Sequence, residues 1–194
     1  MANVSRVNGF RPVKHLSGAP YNGQATRYFV RAADATAIGV GDLVKIDGGS
    51  DGSGVRSVTQ AAAGDAVCGA VVGVEVDPTN LNTPQYRAAS TARYVFVADD
   101  PMFLFSCQED GVGGALSSDQ VGLNANFIVA AASTITGSSG MQLDSSTANT
   151  TATLPLKIVE FSSRVDNEVG NANAKVIVKL NNHQLGASTG TAGV

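Results

Sequence analysis

Short runs of β-branched and aromatic residues, each cut off by glycine, proline, aspartate or asparagine, recur along this chain and leave no room for a long helix. A strand crosses a sheet in about 5–6 residues, whereas a helix needs a longer uninterrupted stretch to present one apolar face. The spacing therefore predicts a mainly β fold, an antiparallel β-barrel or sandwich with little helix. Strands are expected over residues 27–31, 41–46, 55–59, 67–76, 92–98, 102–108, 141–143, 154–161 and 174–180. The runs on either side of Asp99-Asp100-Pro101 read as one antiparallel hairpin with its aromatic residues on the core face. Pro155 places its strand on an edge or at a strand start, and Lys175 and Lys179 suit a solvent face or an exposed edge. Residues 47–54 are rich in glycine and aspartate and read as a turn or exposed loop. Ser117 or Ser118 offers the one good helix cap, weakened by Gly122, while 126–132 suits a strand or a helix end equally.

The ends differ from the middle. Residues 1–25 are punctuated by Gly9, Pro12, Gly18, Pro20 and Gly23, which forbids a helix and predicts an extended N-terminal arm. Phe10, Val13, Leu16 and Tyr21 are spaced along it, and an isolated arm cannot bury them, so it is expected to lie across its own barrel or a neighbouring subunit. Residues 26–185 form the expected β-rich core domain, and 186–194 a small, polar C-terminal tail that would be disordered alone.

A hydrophobic fraction of 43% suffices for a core, yet only 15% of residues are charged, below the usual quarter. Small uncharged side chains lose little entropy when buried against a neighbour, which points to an assembly subunit. The net charge is −3 and the 13 Lys and Arg are scattered along the sequence, which disfavours nucleic acid as a direct partner. No run of about 18 apolar residues predicts a membrane span. The opening residues lack a signal peptide's apolar stretch, so the product is expected to be made and kept in a cytoplasm until assembly or lysis.

Chemistry-bearing patterns are sparse. Cys68 and Cys107 lie in apolar strand text and read as buried free thiols. No CxxC or HxxxH spacing, serine elbow or phosphate-cradling glycine loop occurs. Asp47 and Asp51 with their glycines only faintly resemble a calcium loop, and Asp99-Asp100 and Glu109-Asp110 read as turn residues. His15 and His183 each stand without a nucleophile or carboxylate at motif spacing, which suits hydrogen bonding or an interface. The expectation is a protein that is not an enzyme and holds no metal or cofactor.

Several segments resemble tailed-bacteriophage head decoration, or capsid cement, proteins. They are Gly9-Phe10-Arg11-Pro12-Val13-Lys14-His15-Leu16-Ser17-Gly18 with Tyr21-Asn22-Gly23, the block Ala61-Ala62-Ala63-Gly64-Asp65-Ala66 with Gly69 to Gly73, Leu123-Asn124-Ala125-Asn126-Phe127, and Asp166-Asn167-Glu168-Val169-Gly170 with residues 175–184. The resemblance implies a structural virion protein on the outer capsid surface. It would bridge neighbouring subunits of the major capsid protein, often as a homotrimer, with no catalytic residues. On that reading Phe10 and Tyr21 of the arm seat apolar contacts on a neighbour, Arg6, Arg11 and Lys14 supply polar pairing, and His15 belongs to the same capsid or subunit interface. A tail-tube or fibre-base subunit would be equally β-rich. A carbohydrate-binding module is disfavoured by the absence of Trp and by only 4 Tyr and 7 Phe, most of them in strand text.

Overall fold

The computed structural model describes residues 3–186 and 189–194; Met1 and Ala2 of the expected arm, and Ala187 and Ser188 of the expected tail, lie outside them. Eleven strands and one 3-10 turn make up the regular structure among the described residues. The strands are β1 (Arg11–His15), β2 (Thr26–Val30), β3 (Leu43–Ser50), β4 (Arg56–Gln60), β5 (Gly69–Val74), β6 (Arg93–Ala98), β7 (Phe103–Gln108), β8 (Asn124–Ile128), β9 (Gln142–Asn149), β10 (Leu156–Phe161) and β11 (Lys175–Leu180). The 3-10 turn, Ser118–Gln120, starts where the serines predict; the Gln120 side chain accepts the Ser117 N–H at 2.8 Å. The expected mainly β fold is thus observed.

The strands divide into two packed units. β2, β4, β3, β5 and β6 close a barrel in that order, and the others form a six-stranded sheet ordered β1-β7-β11-β10-β8-β9. All sheet pairings are antiparallel, whereas the barrel closes through one parallel pair, β2 with β4. The sheet curls: a bridge between Glu109 and Leu143, with Asp110 N–H on the Leu143 carbonyl at 3.0 Å, brings β9 back to the end of β7.

Alternation explains two cores. Tyr28, Val30, Val44, Val58, Cys68, Val71, Val95 and Val97 fill the barrel. Their chain neighbours Leu43, Ala70 and Ala98 point out of the same strands into the larger core between the units, with Val67 and Ala61. There they meet Phe103, Phe105, Phe127, Leu143, Leu156, Ile158, Val176 and Val178 from the sheet. Phe10 closes this core, edge-on to Phe127 with ring centroids 6.4 Å apart.

Two expectations change, and others that stood open are resolved. β6 and β7 do not form a hairpin: β6 pairs with β2 and β5, and β7 with β1 and β11, so Asp99-Asp100-Pro101 is the crossing between units. Asp99 accepts Thr26 Oγ1 and Tyr28 Oη, and Asp100 accepts the Met102 N–H, bonds that hold the crossing open rather than fold it back. β3 runs on to Ser50, and the turn tightens to the residues around Asp51, whose carboxylate accepts the Ser53 and Val55 N–H groups. β11 is an interior strand rather than an edge, so its lysines mark a face. Of residues 126–132, the first three are strand, the end of β8, and the rest are irregular.

The arm takes the first of its two expected places. β1 is an edge strand of the sheet, where Pro12 needs no ladder donor on its outer side. Before it, Gly9 has φ +67 and abuts Gly41 and Ser139 so closely that any side chain would collide. Asn3 is stitched to Glu168 and Asn171, and Gln108 binds the Arg6 N–H and the Ser5 hydroxyl. The segment therefore lies across its own chain rather than standing off it. The tail behaves alike: Asn124 Nδ2 donates to the Thr191 carbonyl, Asn181 Oδ1 accepts the Thr191 N–H, and Lys157 Nζ donates to the Ala192 carbonyl.

Candidate interface

The five expected interface residues separate by the face of β1 and its flanks. Phe10 is fully buried and its N–H donates to the Gly41 carbonyl at 2.8 Å, so it fills its own core and offers nothing to a neighbour. His15 and Tyr21 both pack on Phe103, with centroids at 4.4 and 5.3 Å, and His15 Nδ1 lies 3.5 Å from Asp100 Oδ2. Tyr21 is half-buried, and burial raises its phenol above the ordinary value. Arg11 and Lys14 alone turn to the outer face of the sheet. Arg11 donates to the Asn8 carbonyl and to Ser138 Oγ, and Lys14 pairs with Glu160 at 2.7 Å. The structure thus joins His15 and Tyr21 on one ring, sets Arg11 and Lys14 on another surface, and takes Phe10 inside.

Both edges of the six-stranded sheet are occupied by the chain itself. Residues 19–21 fold back along β1, with His15 N–H on the Ala19 carbonyl at 2.8 Å and Tyr21 N–H on the Val13 carbonyl at 3.1 Å. At the other edge, Asp110 Oδ1 accepts both the N–H and the hydroxyl of Ser145 in β9, and Asp144 accepts the Ser146 N–H. An edge closed by side chains and returning backbone cannot take another strand without first being opened. Contacts with a partner therefore fall to faces and loops.

The buried polar groups act as internal clamps. Arg87 is fully buried, and its guanidinium donates to the carbonyls of Arg31, Thr36 and Thr91 at 2.6–2.7 Å, tying the loops at one end of the barrel together. Glu109 accepts the N–H groups of Gly111 and Ala174; burial raises its carboxyl above the ordinary value despite these bonds. Asp42 is fully buried beneath the junction, accepts the Gly39 N–H and Gln60 Nε2, and is likewise raised by burial. His183 accepts the Leu185 N–H on Nδ1, and burial lowers its imidazole against the opposing pull of Asp99 and Asp100. Cys68 and Cys107 are buried free thiols, Cys68 pushed up to about 11 by burial. Among the described residues no three His, Cys, Asp or Glu gather as a metal site, and no helix is long and apolar enough to cross a membrane.

A groove of about 420 Å³ opens at the loop end of the barrel, between the 77–84 loop and Tyr94. Arg93 spans it, bonded to the carbonyls of Glu75, Pro84 and Tyr86 and to Thr83 Oγ1, so its guanidinium is consumed in shaping the loop.

The basic residues of the sheet's outer face are what sequence reasoning missed. Lys157, Arg164, Lys175 and Lys179 are separated along the chain; strand register brings the three lysines beside Arg11 and Lys14, and the loop after β10 brings Arg164 to the same groove as Arg11. The one local signal was the alternation Lys175, Ile177, Lys179, which marks a face but not its neighbours. Comparisons of the chain with family models, with curated proteins and with solved structures found no match.

Proposed function

We propose that this chain is a structural subunit of a tailed-phage virion that decorates and stabilises the capsid, bound on its outer surface across neighbouring subunits of the major capsid protein. One observation carries the reading. Parts of all four separated stretches that resemble capsid cement proteins reach the junction between barrel and sheet, while residues 166–170 lie apart, beside Asn3. Phe10 meets Phe127, Gly9 abuts Gly41 and Ser139, the Gly64 N–H donates to Asn126 Oδ1 at 2.9 Å, and Val67 bridges to His183. The low charge content and the self-closed sheet edges suit a subunit that adds to a shell through its faces without polymerising through its strands. On this reading the chain is not an enzyme, needs no cofactor, and works as a homotrimer whose many weak contacts are multiplied over the particle.

Light scattering on the purified chain, followed by sedimentation with undecorated capsids, tests it. A trimer that pellets with capsids at saturable stoichiometry is expected. A chain that stays in the supernatant sinks the capsid reading, and one that grows into long tubes points to the tail instead.

A further inference from the structure

A line of lysines crosses the outer face of the six-stranded sheet, and register puts it there. Lys14 of β1 stands opposite Leu104 of β7, Leu104 opposite Lys179 of β11, and Lys179 opposite Lys157 of β10. Four adjacent strands thus carry three lysines and a leucine in one row, with no carboxylate in it. Like charges directly opposite on neighbouring strands destabilise a sheet. After burial, Lys179 is the next cause that lowers the Lys157 ammonium. Leu104 is buried although it points away from the core that takes Phe103 and Phe105, and the aliphatic stems of its lysine neighbours stand beside it.

The face continues toward the start of β11. Lys175 pairs in register with Gln108, and Arg11 with Ser106. Arg6, Arg11, Arg164 and Lys175 line a groove of about 270 Å³ that has Val13 as apolar wall and no carboxylate in its lining. Arg11 is half-buried there, with the Asn8 carbonyl and Ser138 hydroxyl as its acceptors among the described residues, and burial lowers its guanidinium. Seven of the thirteen Lys and Arg of an acidic chain therefore share one surface. Among the described residues Glu160 pairs with Lys14 and Asp166 with Arg164, and the Asp166 charge also reaches Lys175.

We propose that this face docks an acidic segment of a partner protein, its carboxylates seated along the lysine row and in the Arg6–Arg11–Lys175 groove. The inference rests on the capsid reading in taking that partner to be the shell. A second copy of this chain is a poor occupant, because the carboxylates of the barrel are already held by its own cations and turns. Nucleic acid is a poor one too. Val13, Leu104 and Ile177 are the apolar side chains between the charges, and Phe161, the aromatic beside Lys14, is half-buried against the core, so the face suits the aliphatic side chains of a peptide better than stacked bases. The net charge of −3 also repels a long polyanion at a distance.

The test uses the full chain and the triple variant Arg11→Glu/Lys175→Glu/Lys179→Glu, with Arg56→Glu on the barrel as control and Lys175→Gln/Lys179→Gln as the milder form should the triple variant fail to fold. Each is titrated with a short poly-L-glutamate peptide and with a single-stranded oligonucleotide of equal charge, and each is pelleted with undecorated capsids. Poly-glutamate should bind the wild type and the Arg56 control alike. Binding should fall at least about tenfold in the triple variant and fall steeply with salt, and the variant should lose the capsids. Capsid pelleting retained by the variant overturns the docking face and leaves the capsid reading standing. Wild type that binds poly-glutamate but not capsids upholds the face and defeats the capsid reading. Tighter binding of the oligonucleotide, no binding of either anion, or a change of oligomeric state in the variant each overturns the proposal.

Discussion

In the barrel, four of the six basic side chains sit against a carboxylate: Arg27 on Glu75, Arg31 on Asp47, Lys45 on Asp65 and Arg87 beside Asp34. Of the seven on the sheet half, two do so, Lys14 on Glu160 and Arg164 on Asp166. Strand chemistry is the same in both units, and so is the alternation that fills their cores. The difference lies in where opposite charges fall in the register. Arg27 reaches Glu75 on the neighbouring wall and lies over the Tyr94 ring, so the barrel neutralises itself locally. Lys179 meets Leu104 on one side and Lys157 on the other. A surface that neutralises itself is finished, whereas one that places like charges opposite one another retains attraction for a partner. Isolated exposed pairs contribute little to stability, so the contrast concerns recognition more than folding.

The largest expected effect tests whether the two units are one cooperative structure. Phe10→Ala should cost about 3–5 kcal/mol, because it empties the shared core at its closing residue. Denaturant unfolding followed by far-UV and near-UV signals should still give one transition. Two separate transitions would show that the barrel stands alone and would dissolve the idea of a shared core.

Charge variants sharpen the comparison through opposite signs. Lys45→Gln removes the partner of Asp65 and should destabilise by about 0.5 kcal/mol, whereas Lys179→Gln relieves the row and should stabilise by a few tenths of a kcal/mol. Both differences should shrink as salt is added. Equal losses in the two variants would mean that the sheet face is as well compensated as the barrel.

The smallest effect concerns His183, packed where the units join. Its folded imidazole titrates below its unfolded value near 6.5, so the unfolded chain takes up the proton first. Stability from this group is thus complete above about pH 6.5 and is lost as pH falls through the folded value. His183→Gln should flatten that limb of a plot of unfolding midpoint against pH, while the limb set by the carboxylates stays. An unchanged slope would show that His183 does not titrate differently in the two states.

Strand existence was legible because β-branched runs between glycines carry their own signal, as at residues 92–98 and 174–180. Partnership was not. Nothing local in Asp99-Asp100-Pro101 distinguishes a hairpin turn from a crossing; the difference comes from Thr26 and Tyr28, which reach Asp99 from far upstream. The arm failed for a related reason. Glycine and proline exclude helix but not an edge strand, and the acceptor that receives Phe10, the Gly41 carbonyl, is distant in sequence. Of the candidate interface, Arg11 and Lys14 could be named from the chain, but the face they belong to could not. It is assembled from four strands whose order follows from tertiary packing rather than from any neighbouring residues.

The barrel wall shared by the two cores has a consequence for how its strands find their alignment. In a sheet with one wet face, a slip of one residue carries apolar side chains into water and is rejected on polarity. Where β3, β5 and β6 border the junction both sides are apolar, at Leu43 and Val44, Ala70 and Val71, and Val97 and Ala98. Over that stretch a slip would exchange one interior for the other, and polarity acts only further along, at Lys45. Leu43 and Val44 would trade places with little change in hydration. Volume must supply the discrimination. Ala70 and Ala98 face the junction while Val71 and Val97 face the barrel, and Gly69 lies so close to the Ala98 carbonyl that no side chain fits. A shifted strand would crowd valines into the junction and leave alanine-sized holes in the barrel, both of them costly in a close-packed interior. Alignment here is fixed by the sizes of neighbouring side chains, so an Ala-to-Val exchange in this wall disturbs which strand meets which as well as how tightly they pack.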